Sequence, residues 1–336
     1  MKSSIIRGLG YYVPENRITN KDLESKMNTS HEWIIERTGI EERRLITKGT
    51  ESTHDLAHRA AMNAIENAKL TPQDIDFIIF ATLSPDYYFP GNGVLLQESL
   101  GCDTVGALDI RNQCSGFVYG LSVADKFIKT GTYKNILVVG AEVHSFVLDM
   151  TTRGRAVSVI FGDGAGAVIL GASDEKGKGI LTTDLHSEGK YAEELAIKFP
   201  GSKYGWIDSM LEEGYEPDYE KIYPYMNGSH VFKHAVIRFE ETILNSLKNA
   251  GYELKDLDLL IPHQANLRIS QFIKQKLELR DDQVFNNINK YGNTTAASIP
   301  IALSEAFQEN RIKEGDLVCM PAFGSGFAWG SVLIRF

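Results

Sequence analysis

Disulfide chemistry has almost no raw material here. The chain holds three cysteines, Cys102, Cys114 and Cys319, and no CxxC pair. That excludes a disulfide framework or a thiolate zinc site and fits a reducing compartment. Long apolar runs are missing too. No uninterrupted stretch approaches the ~18 residues of a membrane span, and the opening MKSSIIRGLGYYVPENRITN lacks the apolar core of a signal peptide. A soluble, cytoplasmic chain with no membrane partner is expected. Basic charge is in deficit, 35 Lys and Arg against 44 Asp and Glu, for a net charge of −9. This excludes general nucleic-acid binding, which needs a basic face against phosphates; a local basic patch for an acidic partner remains compatible. What the chain has in quantity is core. Of its 336 residues 43% are hydrophobic, enough for roughly two domains or one large α/β unit.

Strand-like and helical runs alternate. STHDLAHRAAMNAIENA (52–68) has helical period, whereas DIDFIIFATLS (74–84) and YKNILVVGAEV (133–143) read as buried strands. Such alternation predicts a mainly parallel sheet flanked by helices. The chain also rhymes with itself. TPQDIDFIIFATLS is echoed by ELKDLDLLIPHQAN, and GDGAGAVIL (162–170) by GSGFAWGSVLI (324–334), in the same order. Two α/β halves, 1–173 and 174–336, are expected, joined near the polar GASDEKGKG (171–179). GDGAGA is not read as a nucleotide fingerprint, which requires strand, tight turn and helix. AVSVIF before it and AVIL after it read as strand, hairpin turn at Asp163-Gly164, and strand. Residues 186–226 hold six tyrosines and one tryptophan without clear period; an insertion of this kind is expected to cover something apolar.

One junction stands out. In LDIRNQCSGFVYGL (108–121) a strand ending at Ile110 leads through Cys114 into an amphipathic helix. Phe117, Leu121, Ala124 and Ile128 form its apolar face, and Gly131 its stop. A cysteine there is more often a small buried hydrophobe, but free N–H groups and the helix dipole at a helix start favour a thiolate. Two other stretches place chemistry at strand ends. His263 follows the apolar run DLLI, and Asn293 follows Gly292 in a turn before a helical run. In an open α/β sheet such ends meet at the ligand crevice. A thiolate could take an acyl group from a thioester. A neutral His263 Nε2–H and the Asn293 amide could then stabilise the enolate left when a malonyl thioester loses carbon dioxide, at ~3 kcal/mol per donor. Backbone N–H groups of Cys114, Ser325 and Gly326 could hold the oxyanion at the acyl carbonyl. No metal or cofactor is needed. The spaced pairs His54/His58 and His230/His234 lack a third ligand and read as ordinary helix residues.

CSGF, HQANLRI, GNTTAASIP and AFGSGFAWGSVLIRF together resemble β-ketoacyl-acyl-carrier-protein synthase III, of the thiolase superfamily. RTGIEERR (37–44) and RGRAVSVIFGDGAGAVIL (153–170) extend the likeness along nearly the whole chain. The resemblance implies a five-layered αβαβα fold from a duplicated α/β unit, a homodimer, and a catalytic Cys114–His263–Asn293 triad. It implies an acyltransferase of fatty-acid biosynthesis that condenses an acyl-CoA primer with malonyl-acyl-carrier protein. Trp33, Arg37, Arg153 and Asn266 match coenzyme A contacts, Lys233 and Arg268 match carrier-docking positions, and Phe89 matches a residue that crosses the dimer and limits acyl length.

Several positions depart from that pattern. Arg111-Asn112-Gln113 replace small residues often found before the nucleophile, Ser229 stands where an asparagine commonly faces pantetheine, and Ser325 interrupts the glycine run. These and the 186–226 insertion keep open a specialised acyl-transfer or condensing enzyme of secondary metabolism using a longer acyl-CoA. A non-catalytic, carrier-binding partner subunit is the reading from another class, and the intact triad opposes it. Thiolases carry a second cysteine where Phe323 stands, elongating synthases a histidine where Asn293 stands. A Claisen enzyme joining two acyl chains would want a further carboxylate near the nucleophile, and no acid adjoins Phe89.

Overall fold

The computed structural model describes residues 2–203, 211, 214, 216 and 218–336. Two sheets organise them. The first joins β1 (Ser3–Tyr12), β2 (Phe77–Ala81), β3 (Gly106–Ile110), β4 (Asn135–Glu142) and β5 (Gly164–Ser173) in the order β1-β5-β4-β2-β3. The second joins β6 (Gly179–Ser187), β7 (Leu259–Leu260), β8 (Leu317–Gly324) and β9 (Ala328–Arg335) in the order β6-β9-β8-β7. Neighbouring strands run antiparallel, antiparallel and parallel along β1-β5-β4-β2, and identically along β6-β9-β8-β7. Even β3 has an echo, a parallel bridge between Leu260 and Val284.

The rhyme seen in the sequence has a physical basis. Asp76, just before β2, accepts the N–H groups of Lys134 and Asn135, and its counterpart Asp258, before β7, accepts that of Leu317 at 2.7 Å. Each acid ties the start of one strand to the start of its parallel neighbour.

Three layers of helices alternate with the two sheets to make five. Phe117, Leu121 and Ile128 of α4 (Gly116–Lys129) and Ile299 and Leu303 of α7 (Ser298–Gln308) are buried between the two sheets. α2 (Thr53–Asn67) and α3 (Asn92–Leu100) cover the outer face of the first sheet, α5 (Gly228–Ala250) and α6 (Leu267–Lys276) that of the second. α4 follows the expected face and stop, since Gly131 takes φ +77 and the next N–H, of Thr132, reaches back to the Phe127 carbonyl. α1 (His31–Thr38) packs with residues 148–161 in a smaller cluster beside the core. No helix among the described residues is long and apolar enough to cross a membrane.

Three expectations fail. The sheets are mixed rather than mainly parallel, since β1-β5, β5-β4, β6-β9 and β9-β8 all pair antiparallel. AVSVIF is not a strand: Arg155–Ser158 is a helical turn, and from the rest only Phe161 makes a bridge, to Asn293. Asp163 is not a hairpin tip. Its buried carboxylate accepts N–H groups of Ile46, His144 and Ser145 and the Ser145 hydroxyl, pinning three loops, while β5 follows directly. Of the 186–226 segment, Leu195–Ala196 pairs with Tyr225–Met226 as a short ribbon and Tyr219–Ile222 forms a helical turn. Tyr204, Trp206 and Tyr215 lie outside the described residues.

Candidate active site

Three strand ends and one turn supply the site. β3 leads to Cys114, β7 to His263, β8 to Gly324, and the turn before α7 carries Asn293. All four residues line one cavity of about 570 Å³.

Cys114 occupies a single 3₁₀ turn, Gln113–Ser115, ahead of α4. The expected thiolate is not its resting state. Burial pushes the thiol up to about 12, the nearby Glu142 carboxyl adds to this, and N–H groups of Cys114 and Ser325 at the sulfur oppose it without prevailing. Desolvation outweighs the helix-start field. Of the three backbone donors expected here, Cys114 and Ser325 therefore reach the sulfur, and Gly326 lies one peptide further along the turn. The Ser325 hydroxyl donates to the Leu195 carbonyl, which anchors that turn to the insertion. Gly324 admits the nucleophile, because a Cβ there would stand 2.8 Å from Cys114 Cβ and 3.2 Å from Sγ.

His263 is set by two hydrogen bonds. Its N–H donates to the Pro321 carbonyl at 2.9 Å, and its Nδ1 lies 2.6 Å from the Ser298 hydroxyl. That hydroxyl oxygen accepts the Gln264 N–H at 3.3 Å; the arrangement in which its own proton goes to Nδ1 satisfies the hydroxyl fully and leaves the ring proton on Nε2. Among the described residues Nε2 is buried with no hydrogen-bond partner, in a residue that lines the cavity. Burial lowers the imidazole to about 3, so His263 is neutral at ordinary pH. Asn293 Oδ1 accepts the Thr295 N–H at 2.8 Å, which leaves the Nδ2 donors for the cavity.

The chain that carries this constellation has known relatives. The 3-oxoacyl-[acyl-carrier-protein] synthase III model matches residues 108–189, and the C-terminal model of the same name residues 247–336. A β-ketoacyl-[acyl-carrier-protein] synthase III of Listeria innocua is 46% identical over 332 residues, covering 98% of each chain. One of Clostridioides difficile is 45% identical over 331 residues, again covering 98% of each. The chain belongs to the β-ketoacyl-acyl-carrier-protein synthase III family. The crystal structure of a 3-oxoacyl-[acyl-carrier-protein] synthase III from Aquifex aeolicus superposes with a TM-score of 0.90 at 43% identity, over 99% of this chain and 100% of that one. The thiolase-like five-layered fold and the acyltransferase class follow from that membership.

The outer residues of this synthase III family member fall into two groups. Trp33, Arg37, Asn266 and Arg268 line the cavity. The Arg37 and Arg155 guanidinium groups lie over the Trp33 ring at 4.5 and 4.7 Å, and the motif matching had passed over Arg155. The Asn266 side chain is committed, donating to the Arg37 carbonyl and accepting the Arg268 N–H, both at 2.9 Å. Arg153, Lys233 and Phe89 stand outside the lining. Arg153 pairs with Asp149 at 2.6 Å and stacks on Tyr219 of the insertion at 3.9 Å. Phe89 is 80% exposed. Arg111-Asn112-Gln113 also miss the wall: the Asn112 amide donates to Ser115 at 3.0 Å and serves the turn.

Sequence reasoning missed Ser298, Glu142 and His144. Glu142 carried a signal, an acid closing the apolar run ILVVGA. It is the carboxylate near the nucleophile that the sequence reading did not find. Its oxygens accept the Leu83 N–H and the Thr82 and Ser84 hydroxyls, with the Ala296 N–H also directed at it, and burial pushes it up to about 8. A carboxyl so fully engaged is not free to act as a base.

Proposed function

We propose that this chain condenses an acyl-CoA primer with malonyl-acyl-carrier protein and so starts fatty-acid synthesis. The supporting observation is the buried, unpartnered Nε2 of His263 in a cavity shared with Cys114 and Asn293. In the first half-reaction Cys114 sulfur bonds to the acyl carbonyl carbon, the carbon–sulfur bond to coenzyme A breaks, and the thiol proton ends on coenzyme A. Because the resting thiol is held high, loading draws on the sulfur-directed N–H groups of Cys114 and Ser325, which also face the tetrahedral oxyanion.

In the second half-reaction the malonyl carbon–carbon bond breaks and carbon dioxide leaves. The electron pair passes into an enolate whose oxygen takes hydrogen bonds from His263 Nε2–H and Asn293 Nδ2–H. The enolate carbon attacks the acyl carbonyl, and Cys114 departs as thiolate and recovers a proton. The half 1–173 brings the nucleophile, the half 174–336 the two enolate donors. On this reading Trp33, Arg37 and Asn266 hold coenzyme A with Arg153 at the rim, and Lys233 and Arg268 meet the acidic carrier. The chain works in the cytoplasm as a homodimer, which the exposed Tyr87, Tyr88 and Phe89 and the edge strand β3 support.

A second reading, a longer primer in a specialised pathway, draws on Leu195 and Met226, which carry the insertion's ribbon into the cavity wall. Intact-protein mass spectrometry after incubation with acyl-CoAs from acetyl to dodecanoyl, followed by malonyl-carrier addition, tests both. A short-chain adduct on Cys114, discharged as β-ketoacyl-carrier, supports the initiator. An adduct confined to long chains supports the second reading, and no adduct overturns both.

A further inference from the structure

Asn293 is supported from behind by a second histidine. Gly140, Glu142 and His144, at alternate positions running out of β4, all meet the turn 293–297. A Cβ on Gly140 would stand 2.3 Å from the Ala296 carbonyl oxygen, so only glycine lets the turn approach that closely. The Ala296 N–H is directed at the Glu142 carboxyl. His144 Nε2 is hydrogen-bonded to the Thr295 hydroxyl, and the Thr295 N–H in turn donates to Asn293 Oδ1 at 2.8 Å.

Thr295 carries φ +51, a left-handed conformation that a β-branched residue rarely takes unless its surroundings impose it. His144 supplies part of that surrounding and is itself fixed at two further points, the second of which leads back to Asn293. Its N–H donates to Asp163 at 2.7 Å, its ring packs on Phe161 at 4.4 Å between centroids, and Phe161 forms the bridge to Asn293. Burial lowers the His144 imidazole to about 3, so the support keeps one charge state across the working pH range.

The amide of Asn293 needs such support. A half-turn about its last bond would exchange donor NH2 for acceptor oxygen and set a lone pair against the enolate. We infer that His144, acting through Thr295, is a positioning residue that holds the Asn293 amide as a donor for malonyl decarboxylation. The inference rests on the synthase reading above, and it concerns one half-reaction only, because neither residue touches the Cys114 sulfur.

The test uses the full-length protein and two readouts: acyl loading on Cys114 by mass spectrometry, and carbon dioxide release from malonyl-carrier protein. His144→Leu and the nearly isosteric Thr295→Val should slow decarboxylation by about 10- to 100-fold, the usual effect of disturbing a reacting group's orientation, with loading within about twofold. His144→Gln and Thr295→Ser, which keep a hydrogen-bonding atom, should recover most of the rate with an unshifted pH profile. In an Asn293→Ala background neither His144→Leu nor Thr295→Val should cost anything further. Parallel loss of loading and decarboxylation in Thr295→Val, or additive loss in the Asn293→Ala background, overturns the inference. Failure of the unmodified protein to release carbon dioxide from malonyl-carrier overturns the synthase reading instead.

Discussion

The Ser298 hydroxyl stands 2.6 Å from Nδ1 of His263, and by donating there it leaves the ring proton to Nε2 in the mechanism proposed above. Ser298→Ala removes the hydrogen that makes Nδ1 the acceptor, so the tautomer with Nε2 bare becomes accessible and the cavity loses a donor. Decarboxylation of malonyl-carrier should fall about 10- to 100-fold, as for other supports of a functional histidine, with loading of Cys114 little changed. Parallel rate measurements on the two half-reactions check this.

On the proposed mechanism the triad divides its labour. His263→Ala and Asn293→Ala should each spare much of the loading and cut decarboxylation by about 10²- to 10³-fold, the scale for one lost oxyanion donor. Cys114→Ser should abolish the acyl-enzyme, since a neutral hydroxyl without a general base is a poor nucleophile. Equal loss in both half-reactions for His263→Ala would refute the division.

Gly324→Ala tests the fit around the nucleophile. A methyl 3.2 Å from Cys114 Sγ takes the approach side of the sulfur. Loading should be largely lost in a protein whose far-ultraviolet circular dichroism is unchanged, and the reaction of Cys114 with a small alkylating reagent should slow with it.

Glu142 makes stability depend on pH with a defined sign. Its carboxyl is pushed from the usual 4.5 up to about 8, so the native chain keeps a proton that the unfolded chain releases. The stability it contributes is complete below pH 4.5 and is lost as pH rises through about 8. His263 and His144, both lowered to about 3, act the other way, losing their contribution as pH falls below about 6.5. Comparing the protein with Glu142→Gln cancels the histidines. The melting-temperature difference between the two should shrink from the unmodified protein's side between pH 5 and 8; a constant difference would place the Glu142 proton elsewhere.

Tyr219 lies beneath Arg153 at 3.9 Å. Loss of one exposed cation–π contact amounts to a rate or affinity factor of about two to five. Tyr219→Ala should therefore raise KM for acyl-CoA by that factor and leave kcat and the KM for malonyl-carrier unchanged. A lowered KM for acyl-CoA would mean that the tyrosine obstructs the rim.

Much of the fold was legible because its signals are local. The face and stop of α4, the buried run of β4 and the acidic turns before β2 and β7 depend on residues a few places apart, so periodicity and turn chemistry expose them. AVSVIF misled for the complementary reason: its β-branched composition suits a strand, but the neighbouring Asp149–Arg153 pair and the Asp163 anchor hold the chain in turns. The site was legible as motifs, and its support was not. Ser298, Glu142 and His144 reach their partners from distant parts of the chain, and no spacing rule connects them.

By itself the sequence pointed to alternating strands and helices, the doubled plan and three candidate side chains for the reaction, since hydrophobic period and short motifs encode these nearby along the chain. Only the tertiary structure decided their surroundings: burial holds the Cys114 thiol protonated and the His263 imidazole neutral, and the Thr295 N–H engages Asn293 Oδ1. Those states follow from desolvation and from hydrogen bonds between segments that meet only when the two sheets close on their central helices.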